Sequence, residues 1–117
     1  MGTVNLSTSV RNAKDGVTVV DIHGEVTGFA ENILTDAYNQ ASGISARAVV
    51  LNFNGLQYMN SSGIGLLVTL LIRAQRQKLR LLACGLNDHY RQIFELTRLN
   101  EAIDIYSSEG EALASVN

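Results

Sequence analysis

VVLNFNGLQYMNSSGIGLLVTLL, Val49 to Leu71, holds two kinds of hydrophobic pattern and the boundary between them. With the residues before it, its first part forms a nearly continuous apolar run, ARAVVLNF, Ala46 to Phe53, the pattern of a central strand covered on both faces. Asn54-Gly55 is turn chemistry, expected to close this strand or to begin the following turn. The last part is helical. From Ser62 to Gln77, Ile64, Leu67, Val68 and Leu71 form one stripe, which Leu66 and Leu70 widen, so a helix with a broad buried face is predicted. Between strand and helix stands NSSG, Asn60 to Gly63. Its small residues permit a tight bend, and Asn60 or Ser61 can accept a hydrogen bond from an unpaired amide of the first turn. A hydroxyl at a helix start is also exposed, and a phosphate placed there meets free amides and the positive end of the helix dipole. Helix cap and modifiable site are compatible readings of the same residues.

Working outward, VTVVDIHGEV, Val17 to Val26, places Val19, Asp21 and His23 on one side and Val20, Ile22 and Gly24 on the other, as in a half-buried strand. NLSTSVRN, Asn5 to Asn12, alternates as well, and AKDG supplies the turn that makes the two an N-terminal hairpin. Phe29, Ile33, Leu34, Ala37 and Ala41 recur at helical spacing, so one face of a helix from Phe29 to Gln40 is expected to be buried. On the C-terminal side, LRLLAC, Leu79 to Cys84, returns to strand. NDHYRQIFELTRLN follows as a helix with Tyr90, Ile93, Phe94 and Leu96 behind an Asn or Asp cap. AIDIY then reads as a short strand and SSEGEALASV as a short capped helix. The order is ββαβαβαβα, with the later strands joined by crossovers, which predicts an α/β fold with a mixed, mostly parallel sheet. With no proline, repeat or linker, residues 1–117 are expected to form a single domain.

Of 117 residues, 46% are hydrophobic and 17% charged, the balance of an ordinary globular chain. Nine Lys and Arg against eleven Asp and Glu give a net charge of −2, so no general basic field favours nucleic acid or an anionic membrane. The longest apolar run, Gly63 to Ile72, is half of the roughly 20 residues that a membrane-spanning helix needs. MGTVNLSTSVRNAKDG lacks the charged start and apolar centre of a secretory signal, so a cytoplasmic location is expected, without membrane insertion.

The known chemical motifs fail one by one. GIGLLV has Val68 where a dinucleotide fingerprint needs its third glycine, and Leu82-Ala83-Cys84 occupies the neighbourhood of the ribose-binding acid. No Walker phosphate loop is present. An enzyme using Ser61 as nucleophile requires His23 or His89 within hydrogen-bond reach, yet there is no G-x-S-x-G elbow, and both imidazoles lie in regular elements. Two isolated histidines and one cysteine supply no metal-ligand spacing, so neither a metal nor a cofactor is expected. Cys84, inside LRLLAC, reads as a buried thiol with no disulfide partner. Arg73, Arg76, Lys78 and Arg80 read as cations complementing the C-terminal end of the second helix, with an acidic partner as the alternative.

The segment Val49 to Leu71 resembles the STAS domain family, and within it the bacterial anti-sigma factor antagonists. The family's strand, short loop, D-S-S-G-[LIV]-G and apolar helix are matched by VVLNFNGLQYMNSSGIGLLVTLL, and its G-E-[LV] by Gly24-Glu25-Val26. Asn60 stands where the family often has Asp, Leu51-Asn52-Phe53 where it often has D-L-S, and Gly24 to Thr27 reads GEVT in place of G-E-L-D. Neutral Asn60 keeps a capping oxygen. It removes a charge that a kinase could read, and it also reduces repulsion toward a phosphate on Ser61.

The resemblance implies an open sheet packed with helices and a regulatory binding module with no catalytic centre. A serine kinase that also restrains a sigma factor would phosphorylate Ser61, and a PPM-type serine phosphatase would remove the phosphate. The unmodified protein would bind that kinase/anti-sigma factor through a surface including Gly24, Glu25, Asn60, Ser61, Ser62 and Gly63. The alternative is a constitutive STAS scaffold, or a small cytoplasmic subunit of a signalling assembly or lipid-transport complex, in which NSSG is only cap and contact surface.

Overall fold

The computed structural model describes residues 5–43 and 45–116. Strands β1 (Leu6–Lys14) and β2 (Val17–Val26) form the expected hairpin, with Val10 opposite Val20 and the connection narrowed to Asp15-Gly16. After a 3-10 turn at Gly28–Ala30 come α1 (Glu31–Ala41), β3 (Ala48–Met59), α2 (Ser61–Arg76), β4 (Arg80–Cys84) and α3 (Asp88–Leu96). A second 3-10 turn at Leu99–Glu101 leads to β5 (Asp104–Tyr106) and α4 (Glu109–Ala114). The sheet order is β1-β2-β3-β4-β5, antiparallel only in the first pair. The element order and the mixed, mostly parallel sheet match the sequence reading.

The two faces of the sheet are covered unequally. Leu34 and Tyr38 of α1, Leu67 and Leu70 of α2, and Tyr90 and Phe94 of α3 pack in one cluster with Val20, Ile22, Leu51 and Phe53. Phe53 and Phe94 meet edge to face, with centroids 6.3 Å apart, and burying one such ring stabilises the fold by about 2–3 kcal/mol. On the opposite face Val17, Val19, Ala48, Val50, Leu82 and Cys84 are covered by Ala112 of α4 and by Val116 just beyond it. Consequently Val17 to Val20 are buried on both faces. The expectation of a half-buried strand holds only further along, where Ile22 is buried and His23 exposed. The cover comes from the far end of the chain, and the alternation within β2 contains no trace of it.

β3 also departs from its local signals. Asn54-Gly55 does not end the strand, which continues for 12 residues to Met59. Its pairing with β2 shifts twice, Asp21 opposite Asn52 but His23 opposite Gly55, then Gly24 opposite Leu56 but Glu25 opposite Tyr58. Each shift absorbs an extra residue on β3 as a bulge, so the turn-forming pair is accommodated without loss of the ladder.

Three apolar residues assigned to buried helix faces lie outside them. Phe29 belongs to the 3-10 turn and is 61% exposed, Leu96 at the end of α3 is 84% exposed, and Val68 on α2 is 37% exposed. The buried line of α2 is Gly63, Leu67, Leu70 and Ala74, rotated from the expected stripe. Arg73 and Arg76 do occupy the last turn of α2. Arg73 donates to Asn39 Oδ1 at 2.7 Å and lies over the Tyr38 ring. Arg80 belongs to β4 and pairs with Asp104 at 2.8 Å, so it is not part of the helix end.

At the outer margin of the α4 face, Asp21 gathers a polar network. Arg11 Nε and Nη2 donate to its two oxygens at 2.7 and 3.0 Å, Asn52 Nδ2 donates at 2.8 Å and Ser9 Oγ at 3.1 Å. These donors, led by Arg11, lower the Asp21 carboxyl from 3.8 to about 2 against the opposing effect of burial. Because the folded value is depressed, the stabilisation is present above pH 3.8 and is lost as pH falls through about 2. Asp21→Asn should therefore cost about 1 kcal/mol at neutral pH, allowing for solvent screening of a partly exposed pair. Urea midpoints measured against pH should fall less steeply for the variant than for the parent in that acid window.

Candidate functional site

The NSSG turn is held from both sides of its own chain. Asn60 has extended backbone and caps α2, its Oδ1 accepting from Gly63 N at 2.9 Å, while its carbonyl accepts from Ile64 N at 3.0 Å. Of the two capping candidates in the sequence, Asn60 is the cap and Ser61 the first residue of the helix. Asn60 N donates to Val26 O at 3.3 Å, and Met59 N donates to the buried hydroxyl of Tyr90 at 2.9 Å. The end of β3 is thus tied to β2 on one side and to α3 on the other.

Gly63 sets how closely α2 approaches the sheet. Its ordinary helical backbone makes no special demand for glycine, but a Cβ there would lie 2.1 Å from Val26 O and 2.8 Å from Val26 C. The backbone of β2 occupies the space, and no side chain can move out of the way. The same end of β2 continues into Thr27, whose Oγ1 accepts from Phe29 N at 3.3 Å, and into Gly28, which lies against Ser62.

Ser61 and Ser62 are exposed in the first turn of α2, where their amides have no intrahelical acceptor. That turn contains no acidic side chain. A phosphate on Ser61 would meet the positive end of a 16-residue helix without a neighbouring carboxylate on the same turn to repel it. The capping geometry uses only the side-chain oxygen of Asn60, which asparagine and aspartate share.

Gly24 and Glu25 reach the same end of the sheet by β2–β3 pairing, Glu25 opposite Tyr58 and Val26 opposite Met59. Their contributions differ. Gly24 is buried with φ +109°, and a Cβ there would lie 2.2 Å from Asn5 O, so it makes room for the backbone that enters β1 and offers no side chain. Glu25 is half-buried, and its amide donates to Asn5 O at 2.8 Å. A shallow depression of about 350 Å³ lies beside Gly24, lined by Asn5, Leu6, Ser7, His23 and Gln57, and does not include Ser61.

The structure adds a feature that the hydrophobic pattern of α2 concealed. Ser61, Gly65, Val68 and Ile72 follow one another at spacings of four, three and four, and all are exposed. They form a stripe of one hydroxyl, one glycine and two β-branched apolar residues along the outer face of α2. A methyl group added at Gly65 would meet nothing within 4 Å beyond its own stretch of helix backbone, so the helix is open to approach there. Phe29, in the turn that packs against α2, is a further exposed apolar side chain at this end. The sequence reading places Val68 on the buried stripe and gives Ile72 no role, so it does not find this exposed line, although the helix carries more apolar residues than one face can bury.

The alternative chemistries have no comparable geometry. His23 is exposed on β2 with its ring against Gly55, and His89 is exposed with its ring 4.9 Å from that of Tyr90. Among the described residues, no hydrogen bond joins Ser61 to either histidine, and no group of three His, Cys, Asp or Glu could hold a metal ion. No helix among them is long and apolar enough to cross a membrane. Cys84 is buried, which pushes its thiol up to about 11.

The turn yields a graded mutational test. Gly63→Ala should destabilise the protein by about 2 kcal/mol or more, because backbone must shift to admit the methyl. Asn60→Ala should cost about 1 kcal/mol through the lost cap, whereas Asn60→Asp should be nearly neutral or slightly stabilising. Chemical denaturation of the three variants checks the order.

Comparison with known proteins places this geometry in a family. The anti-sigma-B factor antagonist of Listeria monocytogenes serovar 1/2a is 25% identical over 111 residues, covering 92% of this chain and 95% of the relative. The solved anti-sigma factor antagonist from Mycobacterium paratuberculosis has a TM-score of 0.81 at 22% identity, covering 95% of this chain and 93% of that one. The Bacillus cell fate determinant SpoIIAA in its phosphorylated form has a TM-score of 0.68 at 19% identity, covering 95% of this chain and 100% of that one. These structural likenesses establish a common fold. The STAS domain model matches residues 9–112, from the middle of β1 into α4, and the chain belongs to the STAS domain family.

Proposed function

We propose that this protein is a regulatory binding module of the anti-sigma factor antagonist type, with Ser61 as its phosphorylation switch. The observation that carries the reading is the placement of Ser61. It is an exposed hydroxyl at the first position of α2, on a turn tied to β2 and capped by Asn60, in a chain of the STAS family. The likeness to the Listeria antagonist supports an anti-sigma factor as the class of partner; that this partner is also the serine kinase follows from the resemblance of NSSGIG to the family's phosphorylated segment.

The physical mechanism is charge gating. The unmodified protein presents Ser61 and the neutral stripe Gly65, Val68 and Ile72 to its partner, with Asn60, Ser62 and Gly63 fixing the turn and Gly24 and Glu25 supporting the adjacent strand end. Transfer of the terminal phosphoryl group of the kinase's nucleoside triphosphate to Ser61 Oγ, which gives up its proton as the diphosphate leaves, adds about −1.5 to −2 charges at neutral pH. The helix N-terminus stabilises that charge in the free protein, and burying it against the partner would cost desolvation. Release of the partner follows without refolding of the module, and a PPM-type serine phosphatase restores the binding state. The protein itself binds and is modified, catalysing neither reaction, and acts in the cytoplasm.

Incubation with the candidate serine kinase from the same genome should add one phosphate to Ser61, read by intact mass and site mapping, and Ser61→Ala should abolish it. In a binding assay Ser61→Asp should weaken the complex at least about tenfold while Ser61→Ala leaves it nearly unchanged; equal affinities for the two variants would refute charge gating. Val68→Asp or Ile72→Asp should also weaken binding about tenfold without altering the fold, because each puts a carboxylate into the apolar part of the contact. Circular dichroism and the urea midpoint separate a lost surface from a lost fold.

A further inference from the structure

The sheet face opposite α1, α2 and α3 depends on one short element. Val17, Val19, Ala48, Val50, Leu82 and Cys84 are fully shielded, and the helical cover in their cluster is α4 with the residues that follow it. α4 has 6 residues, includes Gly110, and contributes Ala112 with the partly buried Leu113, Val116 following just after its end. A helix of that length does not hold itself together in water, where isolated helices shorter than roughly 12–15 residues are marginal. Its internal side-chain bonds are one at each end: Ser108 Oγ accepts from Glu111 N at 3.2 Å, and Ser115 Oγ donates to the Ala112 carbonyl at 2.7 Å.

Three basic side chains hold this strap at both ends and from both sides. At its start, Glu109 accepts from Arg11 of β1 through Nη1 at 2.9 Å and through Nη2. At its finish, Lys14 of β1 donates to the Val116 carbonyl, and Arg80 of β4 donates to the Ser115 carbonyl at 2.9 Å. Arg11 is oriented for the task, since its Nε and Nη2 are already bound to Asp21, which Ser9 and Asn52 hold in turn. Two of these cations complement the carbonyl end of α4, and the third pairs with an acid at its amide end, as the helix dipole favours.

From this combination, a short helix with a small apolar anchor and attachments by basic side chains from two different strands, one of them an ion pair, we infer that α4 is a detachable strap. It opens while the remainder of the fold stays intact, and its release uncovers the apolar row Val17, Val19, Val50 and Leu82 together with the Cys84 thiol. Such local opening belongs to the low-stability end of a protein's range of motions, where small contact area and exposed attachments coincide. The strap lies across the sheet from α2, so it forms a second surface whose exposure is separate from the state of Ser61. Weakening the Arg11–Glu109 pair should favour the open form.

Cys84 is the reporter. The intact protein is treated with dithionitrobenzoate over a range of urea concentrations below the unfolding midpoint, and the rate of thionitrobenzoate release is followed. The parent should show labelling that changes little with urea before the global transition. Glu109→Gln and Arg11→Gln should each raise the zero-urea rate, by roughly fivefold for a partly exposed pair. Leu67→Ala, on the helix-covered face, should lower the urea midpoint without raising that rate, and Ile22→Val serves the same purpose if the first variant fails to fold. Labelling that follows global unfolding, rises with Leu67→Ala or Ile22→Val, or ignores both latch variants overturns the inference.

Discussion

The approach of Gly63 to the Val26 carbonyl is the constraint on which the functional end of this molecule depends. Glycine at this position lets the α2 backbone start directly against the end of β2. That contact in turn requires β3 to reach as far as Met59, so that Asn60 N can donate to Val26 O and its side chain can turn over the first amides of the helix. Strand pairing, helix placement and cap are thus parts of one arrangement. A change in any of them moves Ser61 relative to the surface around it.

Electrostatics then gives that position its chemical character. The first turn of α2 combines unpaired amides with an absence of acidic side chains, and Asn60 supplies a capping oxygen without a charge. Such a site accepts an added negative charge more readily in water than inside a contact. The same helix carries its cations at the opposite end, where Arg73 is occupied by Asn39 and Tyr38. Its ends are therefore electrically distinct, and the exposed stripe from Ser61 to Ile72 runs between them.

The two faces of the sheet illustrate two ways of burying apolar surface. Three helices interlock on one face through Tyr38, Leu67, Leu70, Tyr90 and Phe94, whose large side chains make the contact extensive. On the other, Leu82 and a set of small and β-branched residues lie beneath Ala112 and Val116. Charged attachments supplement the limited hydrophobic contact there, and Asp21 connects them to the strands by fixing Arg11. The asymmetry makes one layer the structural base and the other a cover.

Much of this was legible in the residues themselves. Local periodicity determined the order of elements, because strands and helices repeat their apolar positions differently, and capping chemistry located the start of α2 at NSSG. The resemblance of that segment to a known family singled out Ser61. Only tertiary structure decided that β3 continues through Asn54-Gly55, since pairing with β2 absorbs the turn signal in two bulges. It alone decided that Val17 to Val20 are covered twice and that Phe29, Val68, Ile72 and Leu96 are exposed. Hydrophobic pattern records which residues are apolar, whereas burial depends on which distant segment arrives to cover them; for the outer face of α2, none does among the described residues.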